Sequence, residues 1–140
     1  MSTITVQTQK KQTTPETQGV EQLKQEMRAI GVHVSNVKFM NLLLLKYIRG
    51  ECNFKDPRTI HCRGLILESE TLKPICVPPE KSQKFPFFIQ SITDWNEVLI
   101  EEFIDGTMIN VFHYGDEWHI STRSKIGAKC RWTSDMKFNE

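Results

Sequence analysis

The chain has 140 residues, a formal net charge of +1 and four cysteines. This length suits one domain or part of a larger one, and 39% apolar with 25% charged residues is typical of a soluble globular protein. The near-neutral charge excludes a protein that holds nucleic acid through a global basic field, although a local basic site is compatible with it. The longest apolar run, Leu42 to Leu45, is too short to cross a membrane, so we expect no membrane partner.

The cysteines have no Cys-x-x-Cys spacing, so the sequence indicates no zinc site. The histidines are scattered, and we interpret them as structural or exposed; we name no metal ligand. Residues 1–18 are polar and lack the apolar core of a signal peptide. We therefore expect free thiols, a reducing compartment and a cytoplasmic location. The sequence leaves the oligomeric state open.

The first predicted element is a helix that follows a disordered tail. Residues 1–18 hold too few apolar side chains to offset the entropy of ordering. From Gly19 onward the apolar residues recur at the spacing of one helical stripe, and Gly31 is suited to end the helix. We expect the helix to pack on its own domain; a partner-binding helix is the alternative. The stripe residues are Val20, Leu23, Met27 and Ile30.

The next elements are predicted strands. The run from Phe39 to Ile48 fits a helix by its leucines and a strand by its end, and we interpret it as a buried strand. A clearer strand runs from Thr59 to Glu68, where Gly64 is costly unless another group approaches its backbone. Its predicted partner, Lys73 to Val77, ends at a pair of prolines that cannot donate ladder hydrogen bonds.

Three more strand candidates follow, joined by Asp105-Gly106 and Gly115-Asp116, which are turn sequences typical of hairpins. The sequence thus predicts an α+β fold, with an antiparallel sheet of short strands and a flanking N-terminal helix. The candidates run from Trp95 to Ile104, from Thr107 to Tyr114 and from Glu117 to Arg123.

Arg63 is the first candidate site residue, because it lies in an apolar strand beside a glycine. A cation in such a place must pair with an anion or reach water. One interpretation is an internal ion pair with Glu68, Glu101 or Glu102. The other is a phosphate ligand, since a planar guanidinium matches phosphate oxygens.

Two further segments combine cations with rings or hydroxyls. Lys84 beside Phe85 offers a cation and a ring, which suit the phosphate and the base of a nucleotide. The alternative is an exposed charged loop held by buried phenylalanines. The strand end from Ser121 to Lys125 includes Arg123, and it is interpreted as an anion contact or as a solvated strand end.

Four short segments follow one another along the chain: Arg63-Gly64-Leu65-Ile66-Leu67-Glu68, Val77 to Phe87, Phe103-Ile104-Asp105-Gly106-Thr107-Met108-Ile109, and Ile120 to Gly127. Taken in this order, they resemble the ATP-dependent RNA ligases of the bacteriophage tRNA-repair type, within the covalent nucleotidyltransferase superfamily. The resemblance covers roughly residues 45–130, and it implies a partial nucleotidyltransferase domain over residues 19–140. It also implies ATP and Mg²⁺ as cofactors, and ATP and RNA ends as partners in RNA repair.

The resemblance implies a role for each matched cation. Arg63 would contact the nucleotide phosphate or the nucleic-acid end. Lys84 would contact a phosphate and Phe85 would help to form the pocket wall, with Lys81 as a competing alignment for the lysine. Arg123 would lie near the ribose or the phosphates of ATP.

The signature segment departs from the family at its reactive position. In the family a lysine amine attacks the α-phosphate of ATP, forming a lysyl-adenylate and releasing pyrophosphate. Here Phe103 occupies that position, while Asp105 and Gly106 would keep the signature turn on the ribose side. The later family motifs would lie beyond residue 140, and losing them removes most of the charge stabilisation that phosphoryl transfer needs.

These departures predict an RNA-ligase-like chain that is inactive alone and comes from a divergent or truncated viral gene. Two alternatives stay open. One is a pseudoenzyme that binds nucleotides or RNA ends, and the other is a truncated fragment without function.

Overall fold

A computed structural model describes residues 15–102 and 104–129 of the chain. Strands β1 to β4 form one antiparallel sheet in that order, and β5 and β6 form a separate hairpin. The predicted α+β class is confirmed. The elements are helix α1 (Pro15–Ala29), strands β1 (Val32–Val37), β2 (Leu42–Tyr47), β3 (Arg63–Glu68) and β4 (Pro74–Cys76), helix α2 (Phe85–Ser91), and strands β5 (Ile109–Tyr114) and β6 (Glu117–Thr122).

Strand β2 lies at the centre of the molecule because both of its faces are buried. Leu43 and Leu45 share one core cluster with Val20 and Met27 of α1. The two leucines that alternate with them share a second cluster with Phe112 of β5. The sheet is therefore covered by the helix on one face and by the hairpin on the other, which explains an unbroken run of leucines in a strand. The interpretation of this run as a buried strand is confirmed.

Helix α1 packs on its own domain, as predicted, and its apolar stripe is buried or partly buried in the first cluster. The helix begins at Pro15, within the stretch predicted as a tail, and residues 1–14 lie outside the described part of the chain. Gly31 ends it with a φ of 79°, and a Cβ added there would lie 2.3 Å from the carbonyl oxygen of Glu51. Only glycine fits this position, for both reasons.

Two elements were not predicted. Strand β1 alternates buried and exposed residues and pairs with β2 along its whole length, so that Val32 and Val34 reach the core. Helix α2 begins after Lys84 with Pro86 in its first turn, where the missing amide costs nothing. It buries no side chain, so no apolar periodicity marks it in the sequence.

The strand predicted from Trp95 to Ile104 is wrong. The segment contains a short 3-10 turn at Trp95–Glu97, and residues 98–102 form no strand. Its composition suits a strand, but a strand needs a neighbour for its backbone hydrogen bonds, and Leu99 and Ile100 are 78% and 85% exposed.

The hairpin turn predicted at Asp105-Gly106 is also wrong, because residues 98–102 supply no strand before it. Gly106 lies at an exposed bend and is not among the glycines of the described residues that have a positive φ. The second predicted turn is confirmed: Tyr114 pairs with Glu117 across a two-residue loop in which Gly115 has a φ of 63°. A positive φ in such a loop suits the right-handed twist of a hairpin.

Candidate functional site

Arg63 is the central residue of the candidate site. It opens β3 opposite Lys46, where the register of β2 and β3 shifts. Its side chain is half-buried, and its Nε atom is buried without a hydrogen-bond partner among the described residues. No carboxylate of these residues lies within 4.0 Å of the guanidinium. A half-buried cation that faces another cation across the sheet and has no counter-ion here favours an external anion.

The internal ion pairs considered for Arg63 do not form within the described part of the chain. The carboxylate of Glu68 accepts a hydrogen bond from the hydroxyl of Thr71, 2.5 Å away. Glu101 and Glu102 are exposed and form no ion pair with a described residue. The interpretation of Arg63 as a phosphate ligand stays a prediction.

Gly64 brings the end of β6 against the start of β3. Its φ is 106°, and a Cβ added to it would lie 3.0 Å from the Cα of Arg123 and 3.2 Å from the carbonyl oxygen of Thr122. The end of β6 therefore approaches the backbone of this glycine, as the position of Gly64 within a strand predicted. The contact brings the backbone of Arg123, the residue after β6, to the start of β3, where Arg63 precedes Gly64.

Two buried polar side chains of the hairpin line the same contact. Asn110 and Ser121 are cross-strand partners, exposed by 8% and 0% respectively. Neither the Nδ2 of Asn110 nor the Oγ of Ser121 has a hydrogen-bond partner among the described residues. The Nδ2 atom lies 3.4 Å from the Cβ position of Gly64. Buried polar groups are normally paired, so the unpaired amide beside Gly64 favours a ligand or a water at this place.

A row of rings and cations borders the two arginines. The guanidinium of Arg123 lies over the ring of Tyr47, 5.1 Å from its centroid. The ring of Tyr47 meets that of Phe54 edge-on at 5.2 Å, and the ammonium of Lys81 lies 4.9 Å above the Phe54 ring. The row is anchored beside Arg63, since the amide of Tyr47 donates to the carbonyl of Cys62 at 2.7 Å.

Lys81, the competing alignment for the lysine, is hydrogen-bonded to this locality through its backbone, whereas no such bond joins Lys84 to it within the described part of the chain. The backbone amide of Lys81 donates to the carbonyl of Ile60 at 3.0 Å, just before β3. Lys84 is the exposed residue that precedes α2, and Phe85 is 71% exposed. The alternative for this segment, a loop held by buried phenylalanines, is wrong because α2 buries none of its side chains.

The other predicted site residues lie apart from these contacts. Asp105 and Gly106 are exposed, and no hydrogen bond joins either of them to Arg63 or Arg123 among the described residues. Phe103 lies outside the described residues. The nucleotide-binding roles of Lys84, Phe85, Asp105 and Gly106 therefore remain predictions.

Sequence reasoning missed four residues of this locality. Tyr47 and Phe54 meet only through the fold, because neither lies in a segment that resembles the ligases. Asn110 and Ser121 carried no signal in the sequence, because the alternating apolar residues of their strands, Ile109 with Val111 and Trp118 with Ile120, favour the opposite face as the buried one. A polar side chain at a buried strand position needs a hydrogen-bond partner, so these two residues became candidates only when the structure showed their burial.

The described cysteines do not supply a nucleophile. Burial raises the pKa of Cys62 to about 11, and burial also raises the pKa of Cys52 and of Cys76. A thiol with a raised pKa stays protonated at neutral pH, and the thiolate is the reactive form.

The described part of the chain holds neither a metal-binding group of side chains nor a membrane-spanning helix. Within residues 15–102 and 104–129, no histidine, cysteine, aspartate and glutamate side chains group in a way that could hold a metal ion. No helix in these residues has the length and apolar content needed to cross a membrane.

The chain is similar to a putative bifunctional polynucleotide kinase/RNA ligase of Autographa californica nuclear polyhedrosis virus. The two are 31% identical over 117 residues, which cover 76% of this chain and 17% of the relative. This supports an RNA-ligase-like relationship. The chain spans under a fifth of the relative's length. No protein-family profile matches the chain. No solved structure matches it.

Proposed function

We propose that this chain is an RNA-ligase-like unit that binds the phosphates of a nucleotide or of an RNA end through Arg63 and Arg123. The observation that carries the proposal is the half-buried side chain of Arg63, which has no counter-ion in the described residues and whose neighbour Gly64 lies against the end of β6. A phosphate would supply acceptor oxygens for the Nε of Arg63 and for neighbouring donors. The relationship to a viral polynucleotide kinase/RNA ligase supports a nucleotide or an RNA end as the source of that phosphate.

ATP and Mg²⁺ are part of the proposal through the resemblance to RNA ligases. The unpaired arginine fits a nucleotide phosphate. Magnesium commonly binds through substrate phosphates with few protein ligands, so it would neutralise phosphate charge in a site of this kind. The residues that would hold the nucleotide are Arg63 and Arg123, with Lys81 or Lys84 as the third cation.

We further propose that the chain forms no covalent adenylate by itself, because Phe103 replaces the lysine of the family signature. A phenyl ring has no lone pair with which to attack the α-phosphate, and the described thiols are held protonated. The function of the chain would then be that of a binding protein.

Binding of ATP and of 5′-phosphorylated RNA to wild type and to Arg63→Ala tests the proposal. Loss of a charge-assisted hydrogen bond costs about 1.5–3 kcal/mol, so we expect binding to weaken roughly 10- to 150-fold. Arg28→Ala is the matched control, because Arg28 carries the same charge on α1, where it pairs with Glu51 at 3.4 Å. Equal binding by wild type and Arg63→Ala would refute the anion site.

Incubation with α-labelled ATP and magnesium, followed by denaturing electrophoresis, tests the missing chemistry. We expect no labelled band for wild type. A labelled band would show that another residue of the chain takes the place of the lysine. In Phe103→Lys, a labelled band would show that the signature is otherwise intact.

A second candidate, a fragment without function of its own, is favoured by one observation. Large apolar side chains are exposed along the segment that follows β4, including Phe87, Trp95 and Leu99. A contiguous apolar surface normally lies against another part of a protein. A cooperative thermal unfolding transition of the isolated chain would argue against this candidate.

A further inference from the structure

The ring of Phe54 is the exposed end of the row that leads to the two arginines. It is 40% exposed, and its edge contact with Tyr47 ties it to β2. Tyr47 in turn lies under the guanidinium of Arg123. An aromatic surface thus extends outward from the place where a phosphate would bind.

The loop that carries Phe54 is ordered by its own hydrogen bonds. The hydroxyl of Thr59 donates to the carbonyls of Asn53 and Asp56 at 3.2 Å and 2.8 Å. The carboxylate of Asp56 accepts from the amide and the guanidinium of Arg58 at 2.7–3.0 Å. A ring on a loop that is already ordered loses little conformational entropy when a ligand binds to it.

The ammonium of Lys81 covers the Phe54 ring only weakly. It lies 4.9 Å from the ring centroid, has no carboxylate partner among the described residues, and otherwise contacts the carbonyl of Ser82 at 3.4 Å. An exposed cation–π contact changes an equilibrium by about two- to fivefold, whereas stacking of a base on a ring changes it by about 5- to 150-fold. A base therefore displaces the ammonium, whose flexible stem then lets it reach a phosphate.

We propose that Phe54 is the stacking surface for the terminal base of a single-stranded RNA whose end phosphate binds at Arg63 and Arg123, with Lys81 moving from the ring to the next phosphate. This subsite rests on the proposed function, since it needs the phosphate site to fix the strand. The exposed Phe85 is a weaker candidate, because no ring or cation of the described residues packs on it.

The test uses a short 5′-phosphorylated RNA with 2-aminopurine as its terminal base, and inorganic pyrophosphate as a probe without a base. In Phe54→Leu, which keeps an apolar side chain but removes the ring, we expect RNA binding to fall about 5- to 150-fold. We expect the quenching of 2-aminopurine fluorescence to disappear in the same variant, and its pyrophosphate affinity to stay within about twofold of wild type. Phe54→Trp, the matched control, keeps both RNA affinity and quenching.

Several results would overturn the subsite. Unchanged RNA affinity in Phe54→Leu, or an equal loss for RNA and pyrophosphate, would show that the ring does not stack on a base. In Phe54→Leu, a DNA of the same sequence should lose as much affinity as the RNA, because the ring contacts the base and not the sugar. A loss of affinity confined to RNA would also refute stacking.

The role of Lys81 is tested by salt. In Lys81→Gln the slope of log affinity against log salt should decrease by about 0.7, the value for one phosphate contact on a single strand. An unchanged slope would show that Lys81 makes no such contact. Failure of the subsite is distinct from failure of the proposed function: if Arg63→Ala loses pyrophosphate while Phe54→Leu changes nothing, only the stacking proposal falls.

Discussion

Gly64→Ala is the most direct test of the contact that builds the site. The φ of 106° lies where residues with a Cβ are strained, at a cost of about 1–3 kcal/mol. The added Cβ would also lie 3.0 Å from the Cα of Arg123 and 3.2 Å from the carbonyl oxygen of Thr122. Both neighbours are backbone atoms, so relief requires that β6 move, which costs a further 1–3 kcal/mol or so.

We therefore expect Gly64→Ala to lower the free energy of unfolding by about 2–6 kcal/mol. Urea denaturation followed by circular dichroism measures it. Gly50→Ala is the matched control, because Gly50 has a φ of 85° but nothing within 4 Å of an added Cβ, so it carries the strain without the clash. A cost for Gly64→Ala that is no larger than for Gly50→Ala would refute the close approach of β3 and the end of β6.

Three further predictions concern stability and reactivity. Gly19→Ala should raise the free energy of unfolding by up to about 1 kcal/mol, because Gly19 lies inside α1 with open space around its Cβ position; a destabilised variant in urea denaturation would contradict the helix. Cys62 should resist alkylation by iodoacetamide at neutral pH until the protein unfolds, because burial raises its pKa to about 11; labelling of the folded protein, read by mass spectrometry, would contradict that burial. Hydrogen bonds from Arg58 lower the pKa of Asp56 from 3.8 to about 2, so its stabilisation is present above pH 4 or so and is lost as the pH falls towards 2. Asp56→Asn should have a smaller drop in melting temperature over that pH range than wild type, and an equal drop would exclude this ion pair as the cause.

Local patterns predicted most of the central sheet. An apolar run, a helical stripe and a turn sequence each depend on neighbouring residues, so β2, β3, α1 and the Gly115-Asp116 turn could be predicted without knowing the fold. The segment from Trp95 to Ile104 shows the limit of this reasoning. Its composition is that of a strand, but no strand among residues 15–102 and 104–129 pairs with residues 98–102.

The site was predicted only in part, because some of its features are local and others are long-range contacts. A half-buried arginine and a glycine within a strand are local anomalies, so Arg63 and Gly64 were identified directly. Which groups meet them depends on residues far away in sequence, and the choice between Lys81 and Lys84 depends on how the chain returns past Ile60.

By itself, the sequence determined that Gly64 needs a close neighbour and that Arg63 needs an anion or water, because a missing Cβ and a charge in an apolar strand have fixed physical consequences. Only the tertiary structure decided that the neighbour is the end of β6 and that Arg123 arrives there. It also decided that the ring row of Tyr47 and Phe54 borders them. These are long-range contacts, formed when the hairpin packs on β2 through Phe112, and no local pattern contains them.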